Sequence, residues 1–188
     1  TIDLDGLAPL PPRIARLGEL ALDLWWTWHP NARNVFRRLD YTLWRTTDHN
    51  PVRMLRLLPA TRLSDAARDP VFLDLYDRAL TELDPTRRAS GSWWSERMPV
   101  LPGRSVAYFS AEFALHQSLP IYAGGLGVLA GDICKEGGDL GLPLLGVGFM
   151  YPQGYFHQRV AADGRQQETY ERLIWANVPV TPAITPGG

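Results

Sequence analysis

The chain has 188 residues, 45% of them hydrophobic, and a formal net charge of -1 from 19 basic and 20 acidic residues. At ~100–200 residues per domain, that is apolar material for one domain, or one and part of a second. The balanced charge gives no footprint for nucleic acid or an anionic membrane, and the single cysteine, Cys134, excludes an internal disulfide framework and a thiolate zinc site.

In chain order, the first half reads as helix. Pro11-Pro12 precede the apolar positions Ile14, Leu17, Ala21, Leu24, Trp25 and Trp28. Their i, i+3, i+4 spacing predicts one amphipathic helix. His29-Pro30 closes it, because the residue before a proline avoids the helical region. A short helix fits Asn31 to Leu39. Asn50-Pro51 starts another, with asparagine at the cap and proline at the first helical position. Asp69-Pro70 repeats the signal ahead of Val71, Leu75, Tyr76, Ala79, Leu80 and Leu83, and Asp84-Pro85 is expected to end that helix. Residues 1–98 are thus an N-terminal all-helical domain, a small bundle rich in tryptophan. Trp25, Trp26, Trp28, Trp44, Trp93 and Trp94 read as core for the area they bury. An exposed one would be a candidate for stacking on a sugar ring.

The pattern changes over residues 99–188. Ser105 to Ser110 is a short apolar run that predicts a buried strand. A loop follows to Gly125, then a helix from about Leu126 to Leu140, ended by Gly141 and Pro143. Leu144 to Phe149 is a second strand. Strand, helix, strand implies a parallel pair. Gly154 to Val160 and Gln166 to Tyr170 form a hairpin around Ala162-Asp163-Gly164. Two parallel strands and a hairpin make an incomplete doubly wound sheet. Residues after about 160 are therefore expected to be poorly ordered or paired with another chain.

The chemistry lies between Tyr108 and Asp132, YFSAEFALHQSLPIYAGGLGVLAGD. Gly124-Gly125-Leu126-Gly127 opens a helix. The first amides of a helix have no internal partner and carry partial positive charge, and glycines let a ligand approach them closely, so the segment suits an anion. A tight turn with close helix packing explains the same glycines. Gly125, Gly127 and Ala130 match G-x-G-x-x-A, but the loop from Ala111 to Ala123 separates them from the strand. Phe149 to Gln153 supplies no acidic residue for a ribose, which disfavours a dinucleotide. Glu112 follows the strand's C-terminal end, the edge where open α/β sheets bind ligands. It can orient hydroxyls, or it can be a solvated loop carboxylate.

This segment, with DLGLPLLGVGFMYPQGYFHQ from Asp139 to Gln158, resembles the N-terminal catalytic domain of α-glucan (glycogen/maltodextrin) phosphorylases. LALDLWWTWHPNARNVFRRLDYTLWRTTDHNPVRML, from Leu20 to Leu55, resembles the helical extension of their short bacterial and archaeal branch. The resemblance implies an α/β fold in which the bundle precedes the first βαβ part of a GT-B (Rossmann-like) domain, cut short. It implies phosphorolysis of an α-1,4-glucan by orthophosphate to glucose 1-phosphate, with pyridoxal 5'-phosphate in the cleft. Carried over, Gly125 donates a backbone N–H to the substrate phosphate and Leu126 donates one to the sugar. Gly124 and Gly127 permit the loop's shape, and Glu112 forms part of the floor. Ala114 and Val128 stand where animal-type members have Tyr and Arg. The cofactor's Schiff-base lysine does not match Lys135, so the main catalytic groups are expected outside this chain, which alone is expected to be inactive.

Other classes remain. A glucan-binding or subunit-interaction module would show clustered surface tryptophans. A nucleotide-sugar-dependent glucan synthase would have a Lys before the glycines, where Ala123 stands. Tyr155, Phe156 and His157 on the hairpin suit packing or a subunit contact, and a homo-oligomer is compatible with this. His29, His49, His116 and His157 lack metal-ligand spacing, so no metal is expected. No signal peptide opens the chain, and the longest apolar stretch, Leu140 to Tyr151, falls short of the ~20 residues of a membrane span. A cytoplasmic protein is expected.

Overall fold

The computed structural model describes residues 9–88, 91–98, 104–170 and 172–183. The chain forms two compact units: Thr1–Tyr76 together with Trp175–Gly188, and Asp77–Ile174. Residue 98, where the helical pattern gives way in the sequence, lies inside the second unit.

The first unit is built from short helices: α1 (Leu17–Leu22), α2 (Pro30–Leu39), α3 (Tyr41–Thr46), α4 (Pro51–Leu57), α5 (Ala60–Ala66) and the first part of α6 (Pro70–Arg88). The single helix expected across Ile14 to Trp28 is instead three pieces, a 3-10 turn at Pro12–Ile14, α1, and a second 3-10 turn at Leu24–Thr27. Asp23 is the cause. Its backbone is extended (φ -83, ψ 107), and its carboxylate accepts from the Trp25 amide, capping the second turn instead of continuing the first. The break swings Trp25 and Trp26 into the core, with Trp26 only 1% exposed.

That core is aromatic at its centre. Trp26 meets Phe36 and Trp44 edge-on at 5.9 and 5.7 Å, and Phe36 stacks on Trp44 at 5.9 Å. Each such pair contributes ~0.5–1.5 kcal/mol beyond its buried area. Ile14, Leu17, Leu20, Val35, Met54 and Leu55 close around them. The cap at Asn50 forms as expected, with its Oδ1 accepting from the Arg53 amide at 3.0 Å. The Asp69 carboxylate likewise accepts from the Val71 amide at 2.9 Å. Arg38 also binds Asp69 at 3.0 Å, and that bond holds the carboxyl below its usual range.

One expectation for α6 fails. The helix does not end at Asp84-Pro85, because Pro85 lies within it. A proline this close to the end forfeits one backbone donor, and side chains cover nearby carbonyls: Thr86 Oγ1 donates to Glu82 O, and Arg88 Nε to Asp84 O. Its inward face is Phe72, Tyr76, Ala79 and Leu83, whereas Val71 is exposed. The Tyr76 hydroxyl accepts from the Arg16 amide at 3.1 Å, tying α6 to the start of α1.

The second unit holds α7 (Trp93–Arg97), β1 (Val106–Phe109), α8 (Gly125–Asp139), β2 (Leu144–Val147), β3 (His157–Val160) and β4 (Gln166–Thr169). β1 and β2 pair in parallel, Val106 opposite Leu144 and Phe109 opposite Val147. β3 and β4 pair antiparallel across a turn in which Gly164 takes φ +82, a left-handed conformation that suits glycine. Each sheet has two strands. The expected strand burial is absent: Val106, Phe109, Leu145 and Val147 are all exposed, Phe109 at 73%. A buried parallel strand needs helices or strands over both faces, and this pair is not so covered.

Beyond residue 160 the described residues include one strand and a buried side chain. β4 pairs with β3 of its own chain, and Val178 is buried within the first unit. Among the described residues, no helix is long and apolar enough to cross a membrane, and no group of three or more His, Cys, Asp or Glu could hold a metal ion.

Candidate functional site

The site candidates cluster where β1, the loop after it and the start of α8 meet. The loop is fastened by Phe113. Its ring lies beneath β2, where a Cβ on Gly146 or Gly148 would come within 3.2 or 2.8 Å of it, and it meets Tyr108 edge-on at 6.0 Å. The apolar Gly-Val-Gly run thus serves a packing purpose, because side chains at those glycines would displace the ring. The Phe113 amide donates to Ile121 O at 3.1 Å, and the Ala114 amide to Gly127 O at 2.8 Å. A Cβ on Gly131 would collide with the Ala114 carbonyl oxygen. The loop therefore has little freedom on the side facing α8.

That fastening aims Glu112 at the glycines. Its Oε2 accepts from the Ala123 amide at 3.1 Å and the Gly124 amide at 3.3 Å. The Ala123 bond, then the Gly124 bond, hold the carboxyl below its ordinary value of 4.5, against an opposing effect of burial; Gly127 adds a weaker pull. Hydrogen bonds that favour the charged form lower a carboxyl pKa in this way. The carboxylate is thus a brace on the backbone rather than a free solvated group.

The four glycine-loop residues divide into two kinds. A Cβ on Gly127 would come within 2.7 Å of Tyr122 Cβ and 3.0 Å of Glu112 Oε2, so Gly127 allows the helix to sit against the brace. A Cβ on Gly124 or Gly125 would meet nothing within 4 Å. Gly124 caps α8 without a side-chain bond, and Gly125 and Leu126 begin the helix. Both sit at the exposed end, Leu126 at 57%. Helix geometry leaves their amides without intrahelical acceptors. The arrangement combines amide donors at an exposed helix start with a carboxylate brace on the two amides before them. Chemically it can receive an anion or hydroxyl oxygens from outside.

One neighbour was not legible as a site residue. Tyr151 follows β2 just as Glu112 follows β1, so paired parallel strands deliver both to one edge. Partial burial, and next the Glu112 charge, raise the Tyr151 phenol. Its signal in the sequence was position alone, past a strand's C-terminal end. Cys134 faces Gly146 and its thiol is raised by burial, in keeping with a packed helix residue. Lys135 lies on α8 with its ammonium 3.9 Å from Asp132. Of the tryptophans, Trp25, Trp26 and Trp44 are core, whereas Trp93 is exposed at 49%. Ala123, in the place a synthase would give to lysine, contributes its amide to Glu112.

Among known proteins, the relatives similar to this chain include phosphorylases. A glycogen phosphorylase from Aquifex aeolicus is 43% identical over 152 residues, 81% of this chain and 21% of the relative. One from Mycobacterium tuberculosis is 38% identical over 179 residues, 92% of this chain and 20% of the relative. A maltodextrin phosphorylase from Thermococcus litoralis is 34% identical over 179 residues, 95% of this chain and 21% of the relative. The chain thus spans about a fifth of the length of these curated relatives. No solved structure matches it. A family model described as "Protein of unknown function (DUF3417)" matches residues 10–119. The chain belongs to that family, which is the N-terminal region of phosphorylases, and its homologues include glycogen and maltodextrin phosphorylases.

Proposed function

We propose that this chain supplies one wall of an α-glucan phosphorylase cleft. In the reaction, a phosphate oxygen bonds to the terminal glucose C1 while the bond from C1 to the glycosidic oxygen breaks. A proton passes to that oxygen, leaving glucose 1-phosphate and a shortened α-1,4-glucan. The observation that carries this reading is the glycine loop: an exposed helix start at Gly125 and Leu126, braced by Glu112 through Ala123 and Gly124. The Gly125 amide donates to the substrate phosphate and the Leu126 amide to the sugar. Gly124 leaves the approach open, and Gly127 lets the brace close. Such fixed donors act by positioning and by stabilising charge without reorganisation.

The finer fold follows from the same reading. β1, α8 and β2 are the first βαβ element of a GT-B domain, and further chain covers their exposed faces. Pyridoxal phosphate belongs to the longer polypeptide. The fit to this chain's residues fails for covalent attachment, since its one lysine, Lys135, sits along α8 beside Asp132. The buried Trp25, Trp26 and Trp44 weigh against a glucan-binding bundle.

The test uses a polypeptide of the relatives' full length that contains this chain. Maltodextrin and orthophosphate should give glucose 1-phosphate only when pyridoxal phosphate is bound, and Glu112→Ala should lower the rate at least tenfold by releasing the loop. Absence of product from folded, cofactor-loaded protein would refute the reading.

A further inference from the structure

The segment after the α/β unit returns to the helical unit, and one side chain receives it. Asn50 is 8% exposed and works in two directions. Its Oδ1 caps α4 through the Arg53 amide at 3.0 Å, while its Nδ2 donates to Asn177 O at 2.7 Å. These partners fix which way the amide points, because the reverse orientation would set an oxygen against a carbonyl. Next to Asn177, Val178 is 5% exposed. The segment also holds its own shape, the Val178 amide donating to Trp175 O at 3.3 Å and the Val180 amide to Val178 O at 2.9 Å.

The turn that presents Asn50 is unusual. Asp48 and His49 both take left-handed backbone angles, φ 55 and 58. Two such residues in succession, neither a glycine, persist only where their surroundings determine them. The His49 amide donates to Trp44 O at 2.9 Å and the Asn50 amide to Thr47 O at 3.1 Å, and the buried Thr47 hydroxyl donates to Leu43 O at 2.7 Å. The strained turn therefore ends on a residue that links helix start and returning chain.

We propose that residues 175–180 are a strap that completes the helical unit, and that Asn50 is its latch. The helical unit is then not finished where the family match ends at residue 119, because it requires a segment beyond the α/β unit. Binding of the strap and formation of the first turn of α4 are coupled through the single amide of Asn50. Release of the strap frees that side chain and loosens the turn at Asp48 and His49.

Hydrogen exchange on the whole chain tests this with two variants. Asn50→Asp keeps an oxygen for the Arg53 amide but replaces the donor to Asn177 with a repelling carboxylate. The Val178 and Val180 amides should exchange about tenfold faster, the size expected for loss of one buried hydrogen bond. Val178→Ala leaves α4 untouched yet weakens the strap. It should speed exchange at Val178 and Val180, and also severalfold at Arg53 and Met54. Unchanged protection of Val178 and Val180 in Asn50→Asp would overturn the latch. A strap freed by Val178→Ala with Arg53 fully protected would overturn the coupling.

Discussion

The two units are held together by different means. In the helical unit, large side chains fill the centre: Trp26, Phe36, Trp44, Phe72 and Tyr76 are all buried. In the α/β unit, order is concentrated at one corner, where small residues let backbone meet backbone. Gly131 faces the Ala114 carbonyl, Gly127 faces Glu112, and Gly146 and Gly148 admit Phe113. The same unit exposes Phe109, Leu129, Leu145 and Phe149. A core made of large groups gives stability. A corner made of glycines gives position, and position is what a binding loop needs.

The sharpest way to break this contrast is to truncate one large residue in each unit. Trp26→Ala should cost ~3–5 kcal/mol in chemical denaturation, because it empties the centre of the aromatic cluster. Phe109→Ala should change stability by less than ~0.5 kcal/mol, as an exposed substitution does. Equal losses would show that the two units do not differ in this way.

Next come the glycines. Gly131→Ala forces a methyl against the Ala114 carbonyl and should cost ~1–3 kcal/mol, seen as faster exchange across α8. Gly125→Ala meets open space at the helix start and should be neutral or stabilise by up to ~1 kcal/mol. Both effects would have the same sign if the two glycines played one role.

The smallest effect is that of pH. The Glu112 carboxyl is lowered on folding, so its contribution is fully present above its ordinary value of 4.5 and is lost as pH falls through the lower folded value. The Ala123 and Gly124 amide resonances should be constant from neutral pH down to about 4.5 and move only below it. Glu112→Gln should remove that transition. A midpoint above 4.5 would contradict the brace.

Much of this was legible in the sequence where local chemistry decides. Asn50-Pro51 and Asp69-Pro70 mark helix starts because cap and proline act within a few residues. The hairpin turn around Gly164 and the parallel pair around α8 follow from equally local signals. The fragmentation between Ile14 and Trp28 was hidden, since apolar spacing cannot show that Asp23 will cap the next turn rather than continue the last. The exposure of β1 was hidden too, because an apolar run specifies a strand but not what covers it. At the site, the Glu112 contact with Ala123 and Gly124 spans eleven and twelve residues, and it depends on Phe113 finding the glycines of β2. No spacing rule contains that contact.

The central claim is that the amide of Gly125, at the helix start it shares with Leu126, receives phosphate. Inorganic phosphate titrated into the isotope-labelled chain, followed by amide resonances, addresses it directly. The account predicts saturable shifts at Gly125 and Leu126 with Gly91 and Gly164 unmoved. Uniform or absent shifts at the glycine loop, in protein whose Ala123 and Gly124 amides still report the Glu112 bonds, would contradict it.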